Sequence, residues 1–501
     1  MKRRNLLVVT IFIALFMLAY GCGKSSGGEE SNASNNPAPK NNKPVWQIAP
    51  SDIAIAVGTS INQINGQATD ADASQTLACS LVSKTCSFPV VVSGSGSTEV
   101  VECAIAFSPV NSPEYCSVTV QVSDDAGGVI TGSFNISIYP PVSVLAAGDT
   151  HSCAITTAGE TYCWGYNGSG QLGDNSTAKR LTPVDIVGLS GEVAAISGGG
   201  NHTCALTTTG GAKCWGNNDY GQLGDNSTTD RLTPVDVCTD ASCASPLSGV
   251  AAISAGGYHT CALTTAGGVK CWGYNFFGQL GDNTATDSST PVDVVGLSSG
   301  VAAISSGGEH TCALTTGGGV ICWGSNGNGQ LGDNLTGDSR TPVNVVGLSS
   351  GVVAISTRFD HTCALTTTGG IKCWGFNYRG QLGDGTNTDQ PAPVDVVGLS
   401  SGVMAVTTGY AHTCALTTAG GVKCWGYNLR GQLGDNSILD ISTPTDVVGL
   451  SSGVAAISAG DLHTCALTSA AGVKCWGYNY YGELGDDTTT NRLTPANVAW
   501  L

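Results

Sequence analysis

One run of residues, His-Thr-Cys-Ala-Leu or a close variant, returns along this chain, each time followed by Cys-Trp-Gly. The cleanest copy runs from His259 through Cys261 and Cys271 to Gly273. The marker histidines are His151, His202, His259, His310, His361, His412 and His463, spaced 51 residues apart except for one gap of 57. A period near 50 belongs to propellers and solenoids. Each unit holds four strand-like runs: in the third, Val250 to Ser254, Thr260 to Thr264, Val269 to Trp272 and Pro291 to Val295. Four strands in each of seven units predict an all-β, seven-bladed propeller over 142–501, whose radial closure leaves few open sheet edges.

The cysteines repeat with the same phase. Cys153/Cys163, Cys204/Cys214, Cys261/Cys271, Cys312/Cys322, Cys363/Cys373, Cys414/Cys424 and Cys465/Cys475 are each spaced C-x9-C. A turn centred near Ala266 sets Cys261 opposite Cys271 on antiparallel strands, within disulfide reach. Such a bridge contributes roughly 2–3 kcal/mol by constraining the unfolded chain. The alternative is zinc, because His-x-Cys plus the second cysteine supplies three ligands. Cys238 and Cys243 form a further pair in the long gap, and Cys79, Cys86, Cys103 and Cys116 precede the repeats. These four allow three connectivities; short local loops favour Cys79–Cys86 and Cys103–Cys116. Twenty paired thiols point to an oxidising compartment.

The remaining cysteine, Cys22, ends a segment shaped like an export signal. Lys2, Arg3 and Arg4 precede an apolar run from Leu6 to Leu18, and Ala19-Tyr20-Gly21-Cys22 resembles a lipobox with alanine at the usual leucine position. Residues 1–22 therefore predict a lipoprotein signal peptide with lipidation at Cys22; ordinary cleavage with a spare thiol is the alternative. Residues 23–43, rich in Gly, Ser, Asn and Pro, read as a disordered linker. Residues 44–140 read as an immunoglobulin- or cadherin-like β-sandwich with strands at 53–57, 88–92, 118–122 and 134–138. Asp70, Asp72 and Asp124 are weak calcium candidates there.

Ala255-Gly256-Gly257-Tyr258-His259-Thr260, Leu263, Trp272-Gly273 and Gly278-Gln279-Leu280-Gly281-Asp282 resemble the regulator of chromosome condensation repeat. The resemblance covers all seven units. It implies a seven-bladed propeller, commonly closed by strands from both chain ends sharing one blade. The cysteine pairs are a departure from the family pattern.

Every histidine in the chain is a repeat marker, and seven equivalent copies argue for a half-buried structural residue rather than a catalytic one. The repeated Asp174, Asp225, Asp282, Asp333, Asp384, Asp435 and Asp486 read as turn-bonding groups. No other nucleophile or acid–base motif appears, so no catalytic site and no metal are expected. A net charge of −17 disfavours nucleic acid.

Two sets of loops vary between units while the rest hardly changes. Antiparallel connectivity places both on one propeller face, which then carries Tyr258, Phe276, Phe277, Phe359, Tyr378, Arg379, Arg430, Tyr480 and Tyr481. Aromatic and arginine side chains anchor protein interfaces; drift in tolerant loops is the bland alternative. In the fifth unit Arg358 replaces a glycine found there in the others. The expected function is a membrane-anchored, extracytoplasmic protein-binding or adhesion module, held to the outer membrane or cell surface. The resemblance adds two alternatives: an inhibitor of an enzyme gripped by that same face, as in a secreted bacterial propeller of the family that inhibits β-lactamases, or a nucleotide-exchange regulator.

Overall fold

The computed structural model describes residues 140–500 apart from Ser190, and before them only strand backbone within 45–139. The chain divides at residue 139 into two compact units. In the first, nine strands form two sheets. One orders Val45–Ile48, Asn65–Thr69, Val100–Phe107 and Val90–Ser93. The other orders Ile53–Ala56, Val129–Tyr139, Glu114–Ser123, Thr76–Lys84 and Ser95–Ser97. Cys22, the side chains of Cys79, Cys86, Cys103 and Cys116, and the calcium candidates Asp70, Asp72 and Asp124 lie outside the described residues.

The second unit is a seven-bladed propeller. Each blade is an antiparallel four-stranded sheet with its strands in chain order. In the third blade these are Val250–Ala255, His259–Thr264, Val269–Gly273 and Ser288–Asp293. The fourth strand begins three residues before the expected Pro291 and ends two before Val295. Pairing resumes at Gly273↔Ser288, upstream of the proline. Val294 and Val295 instead turn back, their N–H groups donating to Val269 and Gly281 carbonyls. The same shift of register falls directly after the third-strand cysteine in other blades, at Cys163, Cys322, Cys373, Cys424 and Cys475.

Burial follows position in the blade. The second strand is almost wholly buried, because sheets of adjacent blades cover both of its faces. The outer strand is half-exposed and carries surface ion pairs such as Lys270–Asp293 at 2.7 Å, which contribute little to stability. Each apolar core lies between consecutive blades: Cys204, Cys214, Leu206 and Leu223 pack with Ala262 and Trp272 of the following one. All seven Cys-Trp-Gly tryptophans are fully buried. Each indole N–H reaches a backbone carbonyl of the preceding blade, as Trp272 does to Gln222 at 2.9 Å.

Closure differs from the shared-blade arrangement that the resemblance implies. No strand is exchanged: 142–185 form the first blade and 454–497 the seventh. The ring closes by packing and hydrogen bonds. The Trp164 indole donates to the Glu483 carbonyl at 2.9 Å, and Val142 N–H to the Ala471 carbonyl at 3.0 Å. Trp500, past the last strand, packs edge-on against Tyr162 and Trp164.

Candidate functional site

The site is built on a frame that repeats in every blade. Cys261 and Cys271 are direct cross-strand partners, joined by a disulfide with Cα atoms 4.1 Å apart. Cys153–Cys163, Cys204–Cys214, Cys312–Cys322, Cys363–Cys373, Cys414–Cys424 and Cys465–Cys475 are bonded in the same way, and Cys238–Cys243 is bonded too. In this structure the two sulfurs of each pair are joined to each other.

Each bridge clips its own hairpin, as the spacing predicts, and the structure adds a second role. The fourteen blade cysteines are fully buried and belong to the seams between blades. Cys163, Cys322, Cys373 and Cys424 each share an apolar cluster with the tryptophan of the following blade: Trp215, Trp374, Trp425 and Trp476 respectively. Cys475 is equally buried in the seventh blade. The physical reason is volume: a glycine-rich sequence has few large side chains, and the paired sulfurs fill the space they leave.

The marker histidines are fully buried rather than half-buried, and they join blades. His151 Nε2 meets Thr203 Oγ1 of the next blade at 2.8 Å, and the Thr203 hydroxyl donates onward to the Gln171 carbonyl. A hydroxyl has one proton to give. Oγ1 must therefore accept from Nε2–H, which assigns the tautomer and leaves Nδ1 bare and without a partner. The pattern goes round the ring to His463, whose partner is Ser152 of the first blade. Burial holds these imidazoles at about 3, or about 4 for His310. They stay neutral and are committed to the scaffold.

Above each histidine the chain turns through glycine. A Cβ on Gly256 would lie 2.5 Å from His259 Cε1. Blade five, with Arg358 at this position, solves the conflict differently. Its first hairpin is lengthened until Arg358 pairs with His361, and Phe359 adopts φ 38°, a left-handed conformation that costs a non-glycine residue of order 1 kcal/mol.

The guanidinium so placed crosses the central channel. Nη1 donates to the Ala147 carbonyl at 3.0 Å, Nη2 to Asp149 Oδ1 at 2.6 Å, and Nε lies 3.6 Å from Asp461 Oδ1. Elsewhere the inner strands of adjacent blades are tied by a hydroxyl, as when Ala255 N–H donates to Ser197 Oγ at 3.0 Å. Ala146 has no hydroxyl for this role between blades one and two, and Arg358 spans that junction. It also lines two cavities: a channel of about 240 Å³ bounded by the small residues of the inner strands, and a cavity of about 220 Å³ at the channel mouth.

The variable loops surround that mouth. Each is held from below by constant polar residues. Asn275 Nδ2 donates to Asp282 Oδ1 at 3.1 Å, Asn275 Oδ1 accepts Leu280 N–H, and Gln279 Oε1 accepts Phe277 N–H. Asp282 also takes the Thr284 N–H and hydroxyl, the turn-bonding role read from the sequence. The loop tips thus vary on a rigid support.

The structure brings the sequence-predicted residues into patches. Tyr258 packs on Tyr220, which meets Tyr274, which meets Phe276 and Phe277; neighbouring centroids are 4.8–6.5 Å apart. Phe359 sits on Tyr410 at 4.1 Å. Tyr480 and Tyr481 cluster with Tyr478 and, across the ring closure, Tyr166. Arg379 lies over Tyr378 and Tyr427 but is also paired to Asp440 at 3.0 Å, and Arg430 lies over Tyr478. Phe276, Tyr378 and Tyr480 remain 59–66% exposed, whereas Phe277 and Tyr481 are partly covered. Sequence reasoning missed Tyr166, Tyr274, Tyr427 and Tyr478, although all occupy the variable position of Trp-Gly-x-Asn. The acids Asp149, Glu309, Asp360 and Asp461 fall in the variable loops before the histidines, but only the closed ring gathers them around one cavity. Among the described residues no cluster of His, Cys, Asp and Glu is arranged to hold a metal ion.

Comparison with known proteins agrees with this architecture. The model of the RCC1-like domain matches residues 129–397, and the regulator of chromosome condensation (RCC1) repeat matches 405–432, 419–467 and 454–483. The ultraviolet-B receptor UVR8 of Arabidopsis thaliana is 31% identical over 374 residues, covering 72% of this chain and 83% of that one. The human E3 ubiquitin-protein ligase HERC2 is 30% identical over 337 residues, 65% of this chain but only 7% of HERC2. The fold is shared with human WBSCR16 (TM-score 0.59, 24% identity, 68% of this chain and 94% of that one). It is shared as well with yeast RCC1 (Prp20) in its structure bound to Kap60 (TM-score 0.60, 21% identity, 72% and 85%). With its seven in-phase repeats closed into a ring of seven blades, the chain belongs to the RCC1-like family.

Proposed function

We propose that this propeller is a non-catalytic protein-binding module, that its variable loop face is the binding surface, and that it works outside the cytoplasm on a lipid anchor at Cys22. The observation that carries the reading is the concentration of exposed aromatic side chains on loops held by a repeated polar frame. Aromatic anchors on a preorganised support lose little entropy on binding. Yeast RCC1 (Prp20), which shares this fold, is a protein with Kap60 bound to it, a precedent for protein binding by a chain that carries such a propeller. Commitment of all seven histidines to inter-blade bonds supports the non-catalytic part. Export and anchoring are supported by the lipobox-like Ala19-Tyr20-Gly21-Cys22 and by the bonded cysteines, which suit an oxidising compartment.

The test is capture of envelope proteins by the full chain in detergent, beside a variant with Phe276, Tyr378 and Tyr480 changed to alanine. All three are exposed, so the variant should fold normally. Loss of specific capture with an unchanged thermal midpoint is expected; capture indifferent to the three changes would remove this face. Labelling with palmitate, abolished by Cys22→Ala, tests the anchor.

A further inference from the structure

The cavity at the channel mouth holds more carboxyl groups than its own cation answers. It is lined by Asp149, Glu309, Asp360 and Asp461, with Arg358 the one basic side chain among the described lining residues. Arg358 is already engaged by Asp149 and Asp461. Asp360 accepts only from neutral amides, Gln330 Nε2 at 3.0 Å and Asn328 Nδ2 at 3.2 Å. Burial pushes the Asp360 carboxyl up to about 6 and also raises Glu309, where Asp360 and Asp338 add repulsion.

The walls of the same cavity are aromatic. Tyr258 and Phe359 line it, and Tyr258 continues through Tyr220, 5.6 Å away, into the exposed patch that ends at Phe276. An acidic pocket and an apolar surface thus share one side chain. At about 220 Å³ the pocket is below the ~300 Å³ at which small-molecule sites begin, a size for one side chain rather than a cofactor.

Building on the reading of this face as protein-binding, we propose that the partner presents an arginine or lysine to this cavity. The cation sits between Glu309 and Asp360 against the rings of Tyr258 and Phe359, and adjacent apolar residues of the partner lie on the Tyr220–Phe276 patch. Carboxylates supply charge-assisted hydrogen bonds, and the rings add cation–π attraction. A chain of net charge −17 attracts a basic segment.

The probe is a pair of fluorescein-labelled peptides with tryptophan beside arginine or beside citrulline, its uncharged isostere. Fluorescence anisotropy with the full chain in detergent is expected to show the arginine peptide binding at least about tenfold tighter, a difference of ~1.4 kcal/mol. In Glu309→Gln/Asp360→Asn that ratio should fall toward one, with citrulline affinity unchanged. Equal affinities for the two peptides, no binding of either, or a ratio untouched by the double variant would overturn the proposal. If capture still depends on Phe276, Tyr378 and Tyr480 while the peptide ratio is one, the cation pocket fails and the binding face stands. If capture is indifferent to those residues, the face itself fails.

Discussion

Glu483 stands where the other six units carry glutamine. Its Oε2 accepts the Tyr481 N–H at 2.9 Å, Oε1 has no partner, and burial pushes the carboxyl up to about 7. Thr150, at the repeat position of Asn201 and Asp360, also has an unpartnered hydroxyl. Gln171 and Gln330 donate to Asn201 and Asp360, so a glutamine amide suits this seam. Between the ordinary glutamate value of 4.5 and about 7, the folded chain keeps a proton that the unfolded chain has released. Stability therefore falls as pH rises through that window. Glu483→Gln removes the titration. It should raise stability by roughly 2–3 kcal/mol at alkaline pH, and by much less near the ordinary glutamate value. Urea midpoints at the two ends of the window check this; an equal shift at both would contradict it.

At the scale of the element, the hairpin between the second and third strands was legible in the spacing alone. C-x9-C around a five-residue turn leaves one antiparallel register that sets the cysteines opposite each other, and Cys261↔Cys271 has it. The bounds of the fourth strand were not legible. Thr-Pro-Val reads as the middle of a strand, but Ser288 and the residues after it can pair only because Gly273 ends the neighbouring strand opposite them. The bridges also differ in a way that spacing hides. The seven blade disulfides have no exposed surface, whereas Cys238–Cys243 closes a surface loop in which Cys243 is exposed. Thiol–disulfide exchange requires access to sulfur. Mild reductant with alkylation and mass spectrometry should label Cys238 and Cys243 first, with the fourteen blade cysteines reacting only on unfolding. Simultaneous labelling would contradict the assigned burial.

Over the whole molecule, the inter-blade bonds add up to a pH dependence. Seven imidazoles that ordinarily titrate at 6.5 are held at about 3 to 4 by burial. The unfolded chain binds their protons below 6.5 while the folded chain refuses them. Stability is thus fully present above that value and is lost as pH falls toward 3, at up to ~1.4 kcal/mol per pH unit for each histidine. Denaturation midpoints should fall steeply below pH 6.5, and a flat profile down to pH 5 would refute the neutral state of the buried imidazoles.

The sequence by itself determined the blade count, the four-strand unit, the cysteine pairs and the loops that vary. Each of these is a local pattern repeated in phase, and repetition makes a local signal hard to mistake. Only the tertiary structure decided how the ring closes, and that Arg358 bridges the channel to the junction where Ala146 lacks a hydroxyl. Only it gathered Asp149, Glu309, Asp360 and Asp461 around one cavity. Those residues are up to 312 positions apart, from 149 to 461. No periodicity relates them, because what makes them neighbours is the curvature that brings the seventh blade back against the first.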